Sequence, residues 1–315
     1  VIVLISKPPS PAVAQRLLNA ARTSGKPCVI HFIGYTHPRT DPGDLLFASS
    51  LSECAELAVM VAQDAPPPNP ADGAHHPARA RRGDLRGLFS GGTLAYEVQL
   101  LLRDLLADVH SNAPLDKTLK MPNSLHSEGH VILDLGEDEF TVGRLHPMLD
   151  NELRVKRILQ EAADPECGAL LLDVVLGYGA HPNPAQELAA AIRRAKTIAA
   201  EAGRDLPVVV LLVGTDEDPQ GWDSQREQLA EAGALVYART YEAVLAVAEF
   251  VNTGAAAAEV PLAALHEPLA AINVGLESFA ESLAAQGAPH VHVDWKPPAG
   301  GNERLMGILA RMKSK

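Results

Sequence analysis

The sequence has few cysteines and no long apolar run. Its three cysteines, Cys28, Cys54 and Cys167, are scattered and odd in number, a pattern that fits reduced structural thiols better than disulfides or a metal-binding cluster. No apolar run reaches the roughly 18 residues that span a bilayer, and the start of the chain has neither a cationic region nor a cleavage site. We therefore expect a cytoplasmic protein without a membrane segment.

Positive charge is also scarce. The formal net charge is −12, while 47% hydrophobic and 21% charged residues are typical of a globular protein. Nucleic acids and anionic membrane surfaces are bound by clustered lysine and arginine, so the charge argues against both as partners. Small molecules or proteins are the expected partners instead. The glycine loops described below make a small anionic substrate the expected small molecule, and the expected proteins are other subunits or a second copy of the chain.

An initiating methionine is absent as well. Val1 already lies in a strand-like run, and we therefore expect part of a domain to precede it. The chain length of 315 residues favours about two domains.

The first part of the chain, 1–64, reads as βαβα. Strands are expected at 1–6 and 27–35, and helices at 11–24 and 51–64, from apolar runs and helical periodicity. The next stretch, 65–83, is rich in proline, glycine and arginine without an apolar period, which is the composition of a linker.

The alternation of strands and helices resumes over 84–254. Strands are expected at 85–89, 130–135, 169–176, 208–213 and 234–238, and helices at 93–106, 148–163, 184–202, 224–232 and 241–251. Because these strands are continuous Leu/Val runs, they predict a parallel sheet covered on both faces, here a five-stranded doubly wound domain. An α/β extension, 255–315, is expected to contain strands at 271–274 and 290–295, a helix at 276–285 and an amphipathic end at 303–312.

Glycine-bearing loops follow several of these strands. Ser90, Gly91, Gly92 and Thr93 stand between a strand and a helix, an arrangement in which backbone N–H groups and the helix dipole can bind an anion. The plainer alternative is a tight turn with Thr93 as the helix N-cap. The other loops contribute Gly179, Ala180, Gly214 and Thr215 as candidate anion ligands, since ligands of doubly wound sheets bind at the carboxyl ends of strands.

Charged and ionisable side chains also occur in these loops. Arg144 is expected to clamp an oxyanion through two hydrogen bonds, and His146 to shuttle a proton or stabilise charge. His181 is a weaker candidate of the same kind, because a His-Pro step is ordinary loop chemistry. His290 and His292 share a strand face, but no third ligand accompanies them, so no metal site is expected.

The segment 91–97, GGTLAYE, resembles SGTLTYE of the succinyl-CoA synthetase α subunit, which opens the ligase half of the NDP-forming acyl-CoA synthetases. The resemblance is closer to the FdrA family of that superfamily. The segments that carry it are 6–9, 47–51, 141–148, 170–180, 272–276, 291–295 and 298–302.

The resemblance implies succinyl-CoA-synthetase-like, flavodoxin-type domains: the carboxyl-terminal part of a first domain over 1–64, the linker 65–83, a ligase-type domain over 84–254 and the extension 255–315. In the superfamily, a histidine in the loop after the fourth ligase strand carries phosphate. Here the corresponding loop, 214–222, contains no histidine, and its Asp216 and Asp218 would repel a phosphoryl group.

The FdrA family is labelled as acyl-CoA synthetases by homology and is associated with carbamoyl transfer from oxamate in purine (allantoin) catabolism, with separate partner subunits. Carbamoyl transfer suits these residues better, because phosphorolysis needs a phosphate pocket and oxyanion donors but no phosphohistidine or nucleotide. The expected ligand is phosphate or carbamoyl phosphate, with CoA and ADP or ATP only alongside the preceding domain. The alternatives are an NDP-forming acyl-CoA ligase and a non-catalytic scaffold subunit.

Overall fold

The computed structural model describes residues 1–35, 40–41, 45–64, 82–251, 271–274 and 276–293. The chain divides into two compact units, Val1–Ala257 and Ala258–Lys315. The predicted linker, 65–83, lies outside the described residues except for Arg82 and Gly83. No helix in the described part of the chain combines the length and the apolar character that a membrane span requires.

The first sheet of the larger unit contains the strands β1 (Ile2–Ser6), β2 (Cys28–Phe32), β3 (Thr40–Asp41) and β4 (Leu45–Phe47), and its helices are α1 (Pro11–Arg22) and α2 (Leu51–Gln63). The order is β1-β2-β4-β3, with only β3 antiparallel to its neighbour. Ala14 and Leu18 of α1 pack on Ile30 and Phe47 of the sheet. The predicted βαβα order is confirmed, and the short strands β3 and β4 are additions to it.

The second sheet is parallel and has six strands in the described residues. They are β5 (Asp84–Phe89), β6 (Val109–Ser111), β7 (His130–Asp134), β8 (Cys167–Val175), β9 (Val208–Val213) and β10 (Leu235–Tyr237). The order is β10-β9-β8-β5-β7-β6. The predicted count of five was wrong because β6 has three residues and its middle residue is His110, so it carries no apolar run.

Helices cover both faces of the six-stranded sheet. They are α3 (Gly92–Leu102), α4 (Asp138–Thr141), α5 (Glu152–Ala163), α6 (Pro184–Glu201), α7 (Trp222–Glu231) and α8 (Thr240–Ala248). Alternate residues of β8 enter different cores: Leu170 and Leu172 pack with residues of α5 and α6, and Leu171 packs with residues of α3 and α8. The predicted doubly wound α/β fold is therefore confirmed.

This topology places a crevice between the carboxyl ends of β5 and β8. The chain leaves β5 towards β7 and β6 on one side and returns to β8 on the other, while α3 and α6, which follow these two strands, pack on opposite faces. Such a switch point is where open α/β sheets bind ligands.

The smaller unit is a parallel pair of strands, β11 (Ala271–Val274) and β12 (His290–Val293), joined through α9 (Glu277–Ala285). The predicted order of strand, helix and strand is confirmed. The amphipathic end predicted at 303–312 lies outside the described residues.

Candidate functional site

The glycine turn, residues 90–93, leads into a helix that no side chain of the described residues caps. Helix α3 begins at Gly92, and Gly91 is its N-cap with extended backbone (φ −160, ψ 149). Thr93 therefore lies inside the first turn, and the alternative that it is the N-cap was wrong. The first N–H groups of a helix lack partners within the helix and carry the positive end of its dipole, so this turn presents free donors.

Two opposite charges converge on Gly92. A β-carbon at position 92 would lie 2.4 Å from Asp134 Oδ2 and 2.5 Å from Lys7 Nζ, so only glycine fits without displacing one of them. Lys7 follows β1 and also lies over the ring of Tyr96, with Nζ 5.6 Å from the ring centroid. A cation from the first sheet therefore meets the start of a helix that belongs to the second.

Asp134 is the last residue of β7 and is buried. Its backbone is held by Asn112, which accepts from Asp134 N and donates to Asp134 O at 2.9 Å each, and its Oδ1 accepts from Gly136 N at 2.9 Å. Burial raises the pKa of Asp134 above its ordinary value, although the hydrogen bond from Gly136 and the charge of Lys7 oppose the rise. The protonated form of this carboxyl is thus favoured more than for an exposed aspartate.

A buried network holds the glycine turn from beneath. Asp173 accepts from Ser90 N at 2.8 Å and from Ser90 Oγ at 2.7 Å, and Arg154 Nη2 donates to Asp173 Oδ1 at 2.9 Å. Burial lowers the pKa of Arg154, and the charge of Asp173 opposes this effect. Because both donors of Ser90 are used by Asp173, Ser90 positions the turn and has no donor left for a ligand.

His146 approaches the same turn through Gly136. A β-carbon at position 136 would lie 2.7 Å from His146 Nε2, 2.8 Å from Ser90 O and 3.1 Å from Asp134 Oδ1. His146 Nδ1 accepts from Met148 N at 3.2 Å, which assigns the proton of a neutral ring to Nε2. His146 therefore presents an N–H donor near Ser90 and Asp134.

The loop after β8 is joined to this region by its backbone. His181 N donates to Met148 O at 2.7 Å, and Ala180 N donates to Gly177 O at 3.1 Å. The His181 ring lies 3.7 Å from Glu187 Oε1. Gly179 is exposed, with nothing within 4 Å of a β-carbon built there. The Ala180 amide is thus occupied within its own turn.

An acidic side chain occupies the donors of the loop after β9. Asp218 Oδ2 accepts from Thr215 N at 2.6 Å and from Thr215 Oγ1 at 3.3 Å, and it lies 3.0 Å from a β-carbon built at Gly214. A ligand anion at Gly214 and Thr215 would have to replace this carboxylate. Of the predicted anion ligands, Gly91, Gly92 and Thr93 are the ones brought together with His146.

Arg144 precedes His146 by two residues but lines a different pocket. Its side chain is exposed and lines a pocket of about 960 Å³ formed with residues of α4 and α5, and no residue of the turn belongs to that lining.

The comparison with protein families matches the CoA-ligase model over residues 88–250. The chain belongs to the CoA-ligase family. It is also 36% identical over 262 residues to the uncharacterized protein YahF of Escherichia coli (strain K12), an alignment that covers 81% of this chain and 51% of that protein. The chain spans about half the length of this curated relative. The finer assignment to the FdrA family stays a prediction.

The CoA-ligase region supplies most of the site but not all of it. The glycine turn, Asp134, His146 and Asp173 fall within 88–250, whereas Lys7 precedes that region. The start of α3 in this CoA-ligase family member is therefore completed by the neighbouring sheet.

Sequence reasoning missed Lys7, Asp134, Gly136 and Asp173. Lys7 and Asp134 stand at the carboxyl ends of parallel strands, so the rule that directs attention to strand ends could have found them, had it been applied to the first sheet and to the last strand residue. Asp173 lies inside β8, and a charged residue within an apolar strand is the signal that identifies it. Within the described residues no group of three or more His, Cys, Asp or Glu side chains could hold a metal ion.

Proposed function

We propose that this CoA-ligase family member binds phosphate, or the phosphate group of carbamoyl phosphate, at the start of α3 and uses it in acyl or carbamoyl transfer. Carbamoyl transfer between phosphate and an oxamate-type acceptor, within a complex of several subunits, is the preferred form. The enzyme would work without a phosphohistidine, because the loop 214–222 contains no histidine.

The observation that carries the proposal is the meeting of Lys7 with the uncapped end of α3 at Gly92. Free N–H groups, the helix dipole and an ammonium group together favour a doubly charged oxyanion. Ionised Asp134 opposes the anion, and the charge of Lys7 beside it offsets part of that opposition.

The same groups suit phosphorolysis of a carbamoyl group. An oxygen of hydrogen phosphate attacks the carbonyl carbon, and the bond from that carbon to the departing amide nitrogen breaks. The proton that the phosphate gives up is taken by the departing nitrogen. The α3 N–H groups and Lys7 would hold the attacking phosphate, and His146 Nε2–H would donate a hydrogen bond to the developing oxyanion. Neither a nucleotide nor a phosphorylated side chain takes part in this step.

Calorimetric titration of the chain with phosphate, carbamoyl phosphate, CoA and ADP tests the proposal. Saturable binding of phosphate or carbamoyl phosphate without nucleotide is expected, and Lys7→Met should weaken it about tenfold, the order expected for loss of a charge-assisted hydrogen bond. Lys26→Met is the matched control, since Lys26 is exposed and lies at the opposite end of the first sheet, next to the start of β2.

A pair of glycine substitutions locates the site. Gly92→Ala should abolish phosphate binding because its methyl group would lie where Lys7 and Asp134 converge, whereas Gly179→Ala should leave it unchanged because that position is open. Loss of binding with Gly179→Ala alone would move the site to the loop after β8. If the parent chain shows no saturable binding of phosphate or carbamoyl phosphate, the proposal is refuted.

The second candidate is NDP-forming acyl-CoA ligation, which the match to the CoA-ligase model favours. A ligase of this kind should show saturable binding of CoA or ADP in the calorimeter, and not of phosphate alone. A chain that binds none of the four ligands would instead favour a scaffold subunit.

A further inference from the structure

One pocket in the described part of the chain has a lining that contains no residue of the glycine turn. It measures about 960 Å³ and is bounded by the segment 125–127, helix α4 and helix α5. None of Lys7, residues 90–93, Asp134 or His146 lines it. Its volume is at the upper end of the range for small-molecule sites, and an inorganic phosphate ion would leave most of it unfilled.

The floor of the pocket is a buried and fully paired ionic network. Arg157 donates to Glu161 Oε1 at 2.5 Å, to Ser124 O at 2.9 Å and to Ser127 Oγ at 2.8 Å. Glu161 also accepts from Ser127 Oγ at 2.7 Å and from Arg86 Nε at 3.0 Å. Since these donors and acceptors satisfy one another, the floor is rigid and has no unpaired charge to offer a ligand.

The walls of the pocket carry unpaired positive charge. Within the described residues, the side-chain nitrogens of Arg144 and Lys156 make no hydrogen bond or ion pair, although both line the pocket. The acidic lining residues do have partners: Glu139 Oε1 accepts from Asn112 at 2.9 Å, and Asp164 Oδ2 accepts from Arg86 at 2.8 Å. Asn112 is neutral, so Glu139 keeps its negative charge at the edge of the same cavity. Arg144 and Lys156 are nevertheless two lining cations whose donors are available, and an anion placed between them is attracted by both.

Apolar side chains line the same cavity. Leu135, Phe140 and Leu153 belong to its lining, and Phe140 and Leu153 pack on the buried core that contains Leu135. A ligand that satisfied only the cations would leave this apolar surface in contact with water. The chemistry of the lining thus favours an anionic group attached to an apolar or aromatic body.

We propose that this pocket binds an anionic small molecule with an apolar or aromatic body, whose anionic group lies between Arg144 and Lys156 and whose body covers Leu135, Phe140 and Leu153. The site is separate from the start of α3 and does not rest on the function proposed there.

The test uses 1-anilinonaphthalene-8-sulfonate as the probe, because it joins a sulfonate to an aromatic body and becomes fluorescent in apolar surroundings. Titration of the full chain should show saturable binding. N-phenyl-1-naphthylamine, which has the same aromatic body without the sulfonate, should bind about tenfold more weakly or worse, because it lacks the charge-assisted hydrogen bonds.

Substitution of both cations identifies the pocket. The double variant Arg144→Gln/Lys156→Gln should weaken sulfonate binding about tenfold or more and leave the neutral probe unchanged. The control double variant Arg194→Gln/Lys26→Gln removes two exposed cations elsewhere and should change neither probe. Lys7→Met should also leave the sulfonate bound, which separates this site from the start of α3.

Three results would overturn the proposal: no saturable binding of the sulfonate by the parent chain, equal affinity for the charged and neutral probes, or undiminished sulfonate binding by Arg144→Gln/Lys156→Gln with an unchanged circular dichroism spectrum.

Discussion

Replacing Arg154 by methionine should destabilise the six-stranded domain by about 3–5 kcal/mol, the usual cost of removing one partner of a buried ion pair. Asp173 is 0% exposed and Arg154 2%, so solvent does not screen the pair. After the substitution, Asp173 keeps its two hydrogen bonds from Ser90 but loses the positive charge at 2.9 Å. The backbone oxygens of Leu88 and Asp173 also lose a donor.

Thermal unfolding followed by circular dichroism measures the effect. A domain of this size loses about 2–4 °C of Tm per kcal/mol, so a decrease of about 6–20 °C is expected. Arg194→Met is the control: its side chain is 59% exposed, and a surface change of this kind stays within about 0.5 kcal/mol.

A second substitution isolates the buried charge as the cause. In Arg154→Met/Asp173→Asn the side chain at 173 is neutral and its amide oxygen can still accept from Ser90 N, so more than half of the lost stability should return. A decrease below about 1 kcal/mol for Arg154→Met, or a double variant no more stable than the single one, would refute the reasoning, because coupled residues must show an interaction energy of this order.

Three further predictions concern Asp134 and the two buried thiols whose pKa values are raised. Asp134→Asn should tighten phosphate binding above neutral pH, as seen by calorimetry, because it removes a carboxylate beside the anion; weaker binding would contradict this. Burial raises the pKa of Asp134. The protonated carboxyl therefore contributes to the stability of the folded chain below about pH 4, and this contribution is lost as the pH rises through the pKa of the folded state. Between these two pH values, Asp134→Asn should lose less stability than the parent chain. Burial raises the pKa of Cys54 to about 11 and that of Cys167 to about 12, so iodoacetamide at pH 8 should spare both thiols in the native chain and alkylate them in urea. Rapid modification of the native chain would show the thiols to be accessible.

The doubly wound sheet could be predicted because burial on both faces leaves a direct mark on the sequence. Strand β9 is a continuous apolar run, β8 is interrupted only by Gly168 and Asp173, and the loops that follow both strands carry glycine and proline. Strand β6 left no such mark, because its pairing with β7 depends on its position at the edge and not on its composition.

The site was only partly predictable. The glycine turn is a local feature, and the sequence identifies it. Lys7 and Asp134 are 127 positions apart in the chain, and no local pattern indicates that both reach Gly92. The sequence predicted that the N–H groups of Ser90 and Thr215 would bind an anion. In the structure they donate to Asp173 and Asp218 instead, because a carboxylate that is close in space competes with a ligand for the same N–H groups.

Helix α3 connects the glycine turn with the contact between the two sheets. Its Glu97 is buried, accepts from Leu51 N at 2.6 Å and lies 3.8 Å from His31 Nε2 of the first sheet. A second contact, from Arg239 to Glu56 at 2.8 Å, holds α2 against the six-stranded domain. Because Lys7 extends from the edge strand of that first sheet to the start of α3, any shift at the Glu97 contact would move the cation relative to the helix donors. If the proposed phosphate site is correct, its affinity for the anion depends on how the first sheet docks as well as on the glycine turn itself.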